Sequence, residues 1–408
     1  MRITIVNQFY PPDFAPTGRL AKSLAEHRAV LGDRVTIITS TGGYVPQSPI
    51  SSHKHSSNPI IRQIWTPRLG KDHFLGRLID YAFYYIGALF HLLILPEQDL
   101  IISLTTPPLI AWTGVFHSWI HPNTRILVWN MDCYPEIAES AGVIKTGGRI
   151  SRFLRWLNRR LFRSIDGIVC LDQAMCTLLQ RRYEPTTSSI RWSVIPNWEP
   201  LERFPSSINE HWSVLNEFDL DDAFIVLYMG NAGEGHSFET ILSAAQQLAG
   251  EAISFIFVGG GSKWPALHAA VINGSVSNVH LLNYIPDDQV LPALHSASCA
   301  LITLQEDALG AISPSKLHAY LAMSLPVIYL GPAGSNVDDA IRHFNAGISL
   351  RHGDVQGVVD FIHHLRNNSE LHRTYRLRAR EAFETAYSDR AGLEAFDTFI
   401  ASIFSKGR

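Results

Sequence analysis

The feature that most constrains the fold is a strand–helix alternation that runs, stops and then starts again. Short apolar segments at Arg2 to Asn7, Arg34 to Thr39, Leu100 to Ser103, Ile126 to Trp129, Ile168 to Leu171 and Trp192 to Ile195 alternate with helical patterns. A helix over about Thr17 to Leu31, stopped by Gly32, joins the first two strands into a βαβ unit with a right-handed crossover. The run IPNWEP, Ile195 to Pro200, breaks the pattern, and a polar stretch to about Asp222 reads as a connection. Strand patterns resume at Phe224 to Met229, Ser254 to Val258, Val279 to Leu282, Cys299 to Thr303 and Pro326 to Tyr329. From Val355 onward the chain reads as helical, and the amphipathic stretch Ala391 to Phe404 is long enough to cross back to the first half.

This pattern predicts an α/β fold with two doubly wound parallel sheets and a cleft between them. The expected units are 1–198, a connection over 199–222, a second domain over 223–388 and a returning helix over 389–408. A chain of 408 residues has room for two such domains.

The charge balance, 34 basic against 37 acidic residues, carries no nucleic-acid signature, so a charged partner must be met by a local patch. Cys133, Cys170, Cys176 and Cys299 have no metal-ligand spacing and read as reduced, buried cysteines of a cytoplasmic protein. The opening MRITIVNQFYPP reads as a first strand rather than a signal peptide.

In such sheets ligands bind beyond the carboxyl ends of the strands, so the loops that follow strands are the informative ones. Four stand out. In QFYPPDFAPTGR, Thr17 and Gly18 open a helix and Arg19 adds a cation. Asp132 follows a strand in WNMDCYPE. GNAGEG, Gly230 to Gly235, follows FIVLYM and lacks the spacing of a dinucleotide fingerprint or a Walker A loop. Its glycines let backbone amides approach a diphosphate, or else form a plain turn.

The fourth loop is LGAISPSKLHAYLAMSLPVI, Leu309 to Ile328. Gly310 suits a positive φ, Ser313 or Ser315 suits a cap, and Pro314 suits the first turn of a helix to about Met323. Lys316 then lies beside the free N–H groups of that turn, where an anion is held, unless it is simply a solvated lysine. Asp132 is open to two readings, a carboxylate facing the site or a turn residue ahead of Pro135.

Two segments bear on surfaces. Leu78 to Leu95 is an apolar run with only Asp80 and His91 ionisable, expected as a buried crossover helix because a membrane span would separate the flanking strands. An apolar face dipping into lipid is the alternative. Lys145 to Arg163 holds Lys145, Arg149, Arg152, Arg155, Arg159, Arg160 and Arg163 and no acid, with aromatics at helical spacing. Residues 149–163 thus form either an anionic-membrane surface on the inner leaflet or a core-facing helix with a solvated basic side.

Taken in order, these motifs resemble the GT-B glycosyltransferases of family 4 (glycosyl transferases group 1), in particular the subgroup of bacterial surface-polysaccharide assembly. The likeness covers nearly the whole chain and rests on the proline-rich loop with Gly18, TTPPL at Thr105 to Leu109, MDCYPE at Met131 to Glu136, VIPNW at Val194 to Trp198, LYMGNAG at Leu227 to Gly233, FVGGG at Phe257 to Gly261, and SPSKLHAYLAMSLPVI. The resemblance implies two Rossmann-like domains and a C-terminal helix packing back on the first. It also implies retaining transfer of a sugar from a nucleotide-diphosphate sugar, with no catalytic metal and no cofactor, to a lipid-linked or polysaccharide acceptor.

Carried over by motif, Gly18 lies near the donor phosphates and Asp132 faces the reacting sugar. Gly230, Asn231 and Gly233 underlie the diphosphate, and Ser315 and Lys316 match the subgroup's PSK signature. Breaking a sugar–phosphate bond builds negative charge on the diphosphate and positive charge on the ring, so a metal-free enzyme needs fixed donors at the first and a carboxylate near the second. Lys316, Arg19 and the loop amides suit the first role, and Asp132 suits the second.

One departure stands out. Two glutamates eight positions apart, usual in the family, are Ala311 and Ala319 here, and the usual glycine before the final proline is Ser324. Glu306 and Asp307 are upstream carboxylates placed to substitute. The missing pair leaves open a non-catalytic homologue, and the shared architecture leaves open a nucleotide-sugar epimerase.

Overall fold

The structure is a computed structural model and describes residues 1–13, 15–41, 59–69, 74–140, 142–185, 190–205, 212–274 and 276–405. Residues 206–211 of the expected connection and 406–408 of the expected last segment lie outside the described residues.

The first half is a parallel sheet of β1 (Arg2–Val6), β2 (Arg34–Ser40), β3 (Ile60–Ile64), β4 (Leu100–Leu104), β5 (Arg125–Trp129), β6 (Gly167–Cys170) and β7 (Arg191–Val194). The strand order is β3-β2-β1-β4-β5-β6-β7, which reverses beside β1 and so opens a crevice at the C-terminal strand ends. Its helices are α1 (Pro16–Val30), α2 (Phe74–Ile94), α3 (Ala111–Ile120), α4 (Glu136–Ser140), α5 (Arg149–Leu161) and α6 (Gln173–Tyr183). Helices cover both faces of the sheet, so central strands such as LIISL of β4 are buried at every residue.

The second half repeats the plan with β8 (Phe224–Asn231), β9 (Ile253–Gly260), β10 (Val279–Leu282), β11 (Cys299–Thr303), β12 (Val327–Leu330) and β13 (Gly347–Leu350), in the order β10-β9-β8-β11-β12-β13. Edge strands β3, reading IIRQI, and β13, reading GISL, were not expected from the sequence. Each is only partly buried, and a half-solvated edge needs no continuous apolar run.

Part of the connection belongs to the second core, where Phe204, Trp212, Leu215 and Leu220 are buried. The helix Asp389–Phe404 packs on the first sheet through Phe396, Phe399, Ile400 and Ile403. Trp129, Trp198 and Phe396 form one aromatic group, with Trp129 and Trp198 stacked at 5.2 Å. Gly392 allows this seat, because a Cβ there would lie 2.2 Å from Cε3 of Trp198.

The expectation that α2 is buried needs correction. One face is in the core, with Tyr84, Ala88 and Leu92 fully buried, while Leu75, Phe83, Ile86 and Phe90 on the other are exposed. A helix at the margin of the layer has a sheet and one neighbour to pack on, and its apolar run exceeds what they cover. In α5, Arg155 is not part of a solvated side but faces inward, donating to Glu139 at 2.6 Å. Exposed Arg149, Arg152, Arg159 and Arg160 remain, with Phe153 and Trp156 between them. All four cysteines are free and buried.

Candidate functional site

The loops leaving the C-terminal ends of β1, β5, β8 and β11 meet between the two halves. Strand β8 runs into the glycine loop as far as Asn231, paired through Gly230 with Gly259 and through Asn231 with Gly260 of β9. Gly230 has φ 129°, a region that favours glycine. A Cβ on Gly259 would lie 2.1 Å from the Gly230 oxygen, so part of the glycine signal in GNAG and FVGGG reflects close strand packing.

Lys316 is the first residue of the helix Lys316–Ala322, so Pro314, expected in the first turn, lies just before it. Ser315 precedes it in helical conformation without a side-chain capping bond. Ser313 instead lies near the carboxylate of Asp172, at the start of α6 in the other half, and favours its charged form. Lys316 reaches across the end of β8, where its Cε would lie 2.8 Å from any Cβ at position 230. Glycine at 230 is therefore what admits the lysine. Its Nζ donates to the Asn231 carbonyl at 3.2 Å, lies 3.3 Å from Nε2 of His236 and sits 5.0 Å from the Tyr228 ring centroid.

His236 was not singled out in the sequence. Its Nδ1 lies 2.8 Å from the Thr303 carbonyl, which can only accept, so Nδ1 carries the proton and Nε2 presents its lone pair to Lys316. Burial, helped by the lysine charge, pushes the imidazole down to about 3 and keeps it neutral. Burial alone brings Lys316 down to about 8, which leaves it mostly charged at neutral pH. Of the three ammonium protons, two face Asn231 and His236 and one is left for a ligand. The only signal for His236 was its place three residues after Gly233 in a post-strand loop.

This group borders a cleft of about 850 Å³ lined by Asn231, Gly233, His236 and Asp307 of the second half and by Ile137 and Ser140 of the first. Of the two carboxylates named from the sequence, Asp307 lines it and Glu306, expected among the donor-binding residues, does not. The two share one 3₁₀ turn, where successive side chains point about 120° apart. Ala311 is buried and Ala319 half-buried, so neither position supplies a polar group to the cleft.

Arg19 and Ser315 line a separate opening of about 500 Å³ with Asn197, Glu199 and His318, and Arg19 pairs with Glu199 at 3.8 Å. Gly18 is buried in the first turn of α1, where a Cβ would lie 3.1 Å from the Phe9 carbonyl carbon, so it lets the helix seat against the proline-rich loop.

Asp132 lies just beyond β5, its amide donating to Thr105 Oγ1 at 3.1 Å. With Thr105, Leu109, Tyr134 and Asn158 it lines a third cavity, of about 430 Å³, inside the first half. Burial raises its carboxyl to about 6. Beside it the Cys133 thiol donates to the Gly310 carbonyl of the other half at 3.4 Å, and Gly310 has the expected positive φ, 75°. Asp132 and Lys316 thus flank the domain boundary without lining one cavity. Among the described residues, no group of three or more His, Cys, Asp or Glu is placed to hold a metal ion.

Residues 223–368 match the family model described as Glycosyl transferases group 1. The chain is 23% identical to the probable glycosyltransferase WbjE of Pseudomonas aeruginosa over 100% of its own length and 99% of that protein. It is also 23% identical to the putative colanic acid biosynthesis glycosyl transferase WcaI of Escherichia coli (strain K12), over 79% of this chain and 81% of that one. Among solved structures, HepE of Anabaena in complex with UDP superposes with a TM-score of 0.70 at 13% identity, covering 98% of this chain and 100% of that one. WaaG, a glycosyltransferase involved in lipopolysaccharide biosynthesis, superposes at 0.65 and 17% identity, covering 97% and 99%. Two facing doubly wound sheets, a second half that matches the group 1 model and relatives aligned over most of the chain agree: this is a glycosyltransferase of the GT-B fold whose second half carries the group 1 domain.

Proposed function

We propose that this glycosyltransferase moves a sugar from a nucleotide-diphosphate sugar to a lipid-linked or glycan acceptor in cell-surface glycan assembly, with retention and without a catalytic metal or cofactor. The donor lies mainly on the second half and the acceptor mainly on the first. The observation that carries the reading is the contact of Lys316 with Asn231 and His236, two residues that line the cleft at the end of β8. A partly desolvated ammonium with a donor to spare favours a dianionic leaving group more than the same group in water. Gly230 and Gly233 keep the backbone open to the phosphates, Ser315 and Arg19 border them from the neighbouring opening, and Gly18 seats the helix that carries Arg19. Asp307, rather than Glu306, is the carboxylate placed to accept a donor hydroxyl.

Asp132 is ionised at neutral pH and offset towards the first half, where a carboxylate stabilises a developing oxocarbenium charge or orients an acceptor hydroxyl. A relative named for colanic acid biosynthesis, a neighbour of the same fold involved in lipopolysaccharide biosynthesis and another in complex with UDP and with UDP-glucose support this choice of substrate classes. We place the enzyme in the cytoplasm, peripheral on an anionic membrane through residues 149–163 of α5 and the turn after it, where Arg149, Arg152, Arg159, Arg160, Arg163, Phe153 and Trp156 face solvent.

The test is thermal stabilisation by a panel of nucleoside diphosphates, beginning with UDP. A ligand at a hundred times its dissociation constant adds about 2.7 kcal/mol to stability. One nucleotide is expected to stand out, and Lys316→Ala to abolish its advantage over the bare nucleoside. No response to any diphosphate, or donor isomerised with no acceptor present, would overturn the proposal.

A further inference from the structure

Helix α2 carries a surface that neither the sheet nor sugar transfer uses. Leu75, Ile79, Phe83, Ile86, Phe90 and Ile94 recur every three or four residues and form one stripe about 28 Å long. All six are exposed, Ile86 to 72% and Phe90 to 60%. Solvent-facing apolar residues are common singly, but a stripe of this length is not. The segment Leu75–Ile94 is long and apolar enough to cross a membrane. It is nonetheless fixed along the domain surface: Tyr84 on its inner face donates to the Ile38 carbonyl of β2 at 2.8 Å, and Gly87 sits so close to β3 that a Cβ there would lie 2.4 Å from Ile64 Cγ2.

The neighbours of α2 indicate what covers the stripe. Rightward, right-handed crossovers place α2, α3, α5 and α6 on one side of the sheet, and α3 packs on both α2 and α5. The same layer therefore presents the apolar stripe on α2, Trp119 exposed near the end of α3, and the acid-free face of α5 with Arg149, Arg152, Arg159, Phe153 and Trp156. No acid interrupts the α2 stripe, because Asp80, the one acid of the helix, is buried and accepts from the Leu69 amide. A partner for this layer must offer apolar surface beside negative charge over tens of ångströms. A bilayer of anionic lipids does, with acyl chains for α2 and headgroup phosphates for α5.

We infer that α2 is a lipid-embedded anchor, lying parallel to the membrane with its stripe among the acyl chains while α5 rests on the headgroups. The inference deepens the peripheral-membrane reading and is independent of the reaction. It also gives the Asp132 cavity a route to a lipid-linked acceptor, since Asn158, Leu161 and Phe162 at the end of α5 and beyond it line that cavity.

Co-sedimentation of the full chain with vesicles of phosphatidylcholine, with and without phosphatidylglycerol, tests it. At about 1 M salt the Debye length is about 3 Å, so headgroup attraction is screened and apolar insertion is not. The expected result is a bound fraction that survives this salt and falls at least tenfold in Ile86→Ser/Phe90→Ser. Arg152→Ser/Arg159→Ser is expected to lose only the salt-sensitive part, and a failure of the α5 reading alone would show as no such loss. A polarity-sensitive fluorophore on Ile86→Cys, the native cysteines being buried, is expected to shift to the blue on vesicles. Complete release of the wild-type chain by salt, an unshifted fluorophore, or a lipid-free dimer dissolved by the Ile86/Phe90 double variant would each overturn the inference.

Discussion

Nε2 of His236 lies 3.3 Å from Nζ of Lys316, and the imidazole is turned to accept because its other nitrogen is bound to Thr303. A neutral base held against a desolvated ammonium fixes the direction of that ammonium without cancelling its charge. Charge-assisted hydrogen bonds contribute about 1.5–3 kcal/mol, so Lys316→Ala is expected to weaken nucleoside diphosphate binding by about 10- to 100-fold. His236→Ala is expected to cost less, about tenfold, by letting the lysine swing free. Calorimetric titration of the diphosphate and of the bare nucleoside checks both, since the nucleoside should bind all three proteins alike.

Diphosphate affinity is expected to depend on pH through Lys316. Its ammonium titrates near 8, so the charge is present below that value and is lost as pH rises through it. Affinity measured from pH 7 to 9.5 should hold level and then fall by up to tenfold per unit. Lys316→Arg, which stays charged, should flatten the fall.

Acid stability carries the opposite signature of buried histidines. His236 is pushed down to about 3 and His318 to about 4, so both bind protons more readily when unfolded. Their neutral burial contributes fully above the ordinary histidine value and is lost as pH falls from about 6.5 towards 3. Asp132, raised to about 6, acts the other way, binding a proton more readily when folded between about 3.8 and 6. Urea unfolding from pH 7 to 4 is expected to show a net loss of stability that is smaller in His318→Phe than in the wild-type chain.

Gly230→Ala is expected to disturb the site more than its size suggests. The methyl group would lie 2.8 Å from Lys316 Cε on a backbone with φ 129°, so it displaces the lysine and strains the strand end. A cost of about 1–3 kcal/mol in folding stability is expected, with diphosphate affinity reduced towards that of Lys316→Ala. Denaturant midpoints and calorimetry together separate the two effects.

Asp132→Asn is expected to leave diphosphate affinity within about twofold and to lower turnover about 100-fold or more, a size typical of general acid–base or charge-stabilising groups. Single-turnover kinetics with donor and acceptor checks it. Thermal unfolding at pH 7 should not fall, because the variant removes a carboxylate that is costly to bury.

Periodicity and composition along the chain were enough to determine the two-sheet plan, most strands to within a residue or two, the positive φ of Gly310 and the loops that meet at the cleft. Those features are local, or follow from burying alternating apolar segments under helices. Which side chains share a cavity was settled only by tertiary packing. Lys316 faces His236 because β8 and β11 are neighbours in the sheet, a contact between residues eighty positions apart. Asp307 and not Glu306 borders the cleft because of the phase of a single turn. Edge strands β3 and β13, the inward turn of Arg155 and the open face of α2 depend on what lies beside each element, and one-dimensional patterning holds no record of which neighbours a helix or strand will lack.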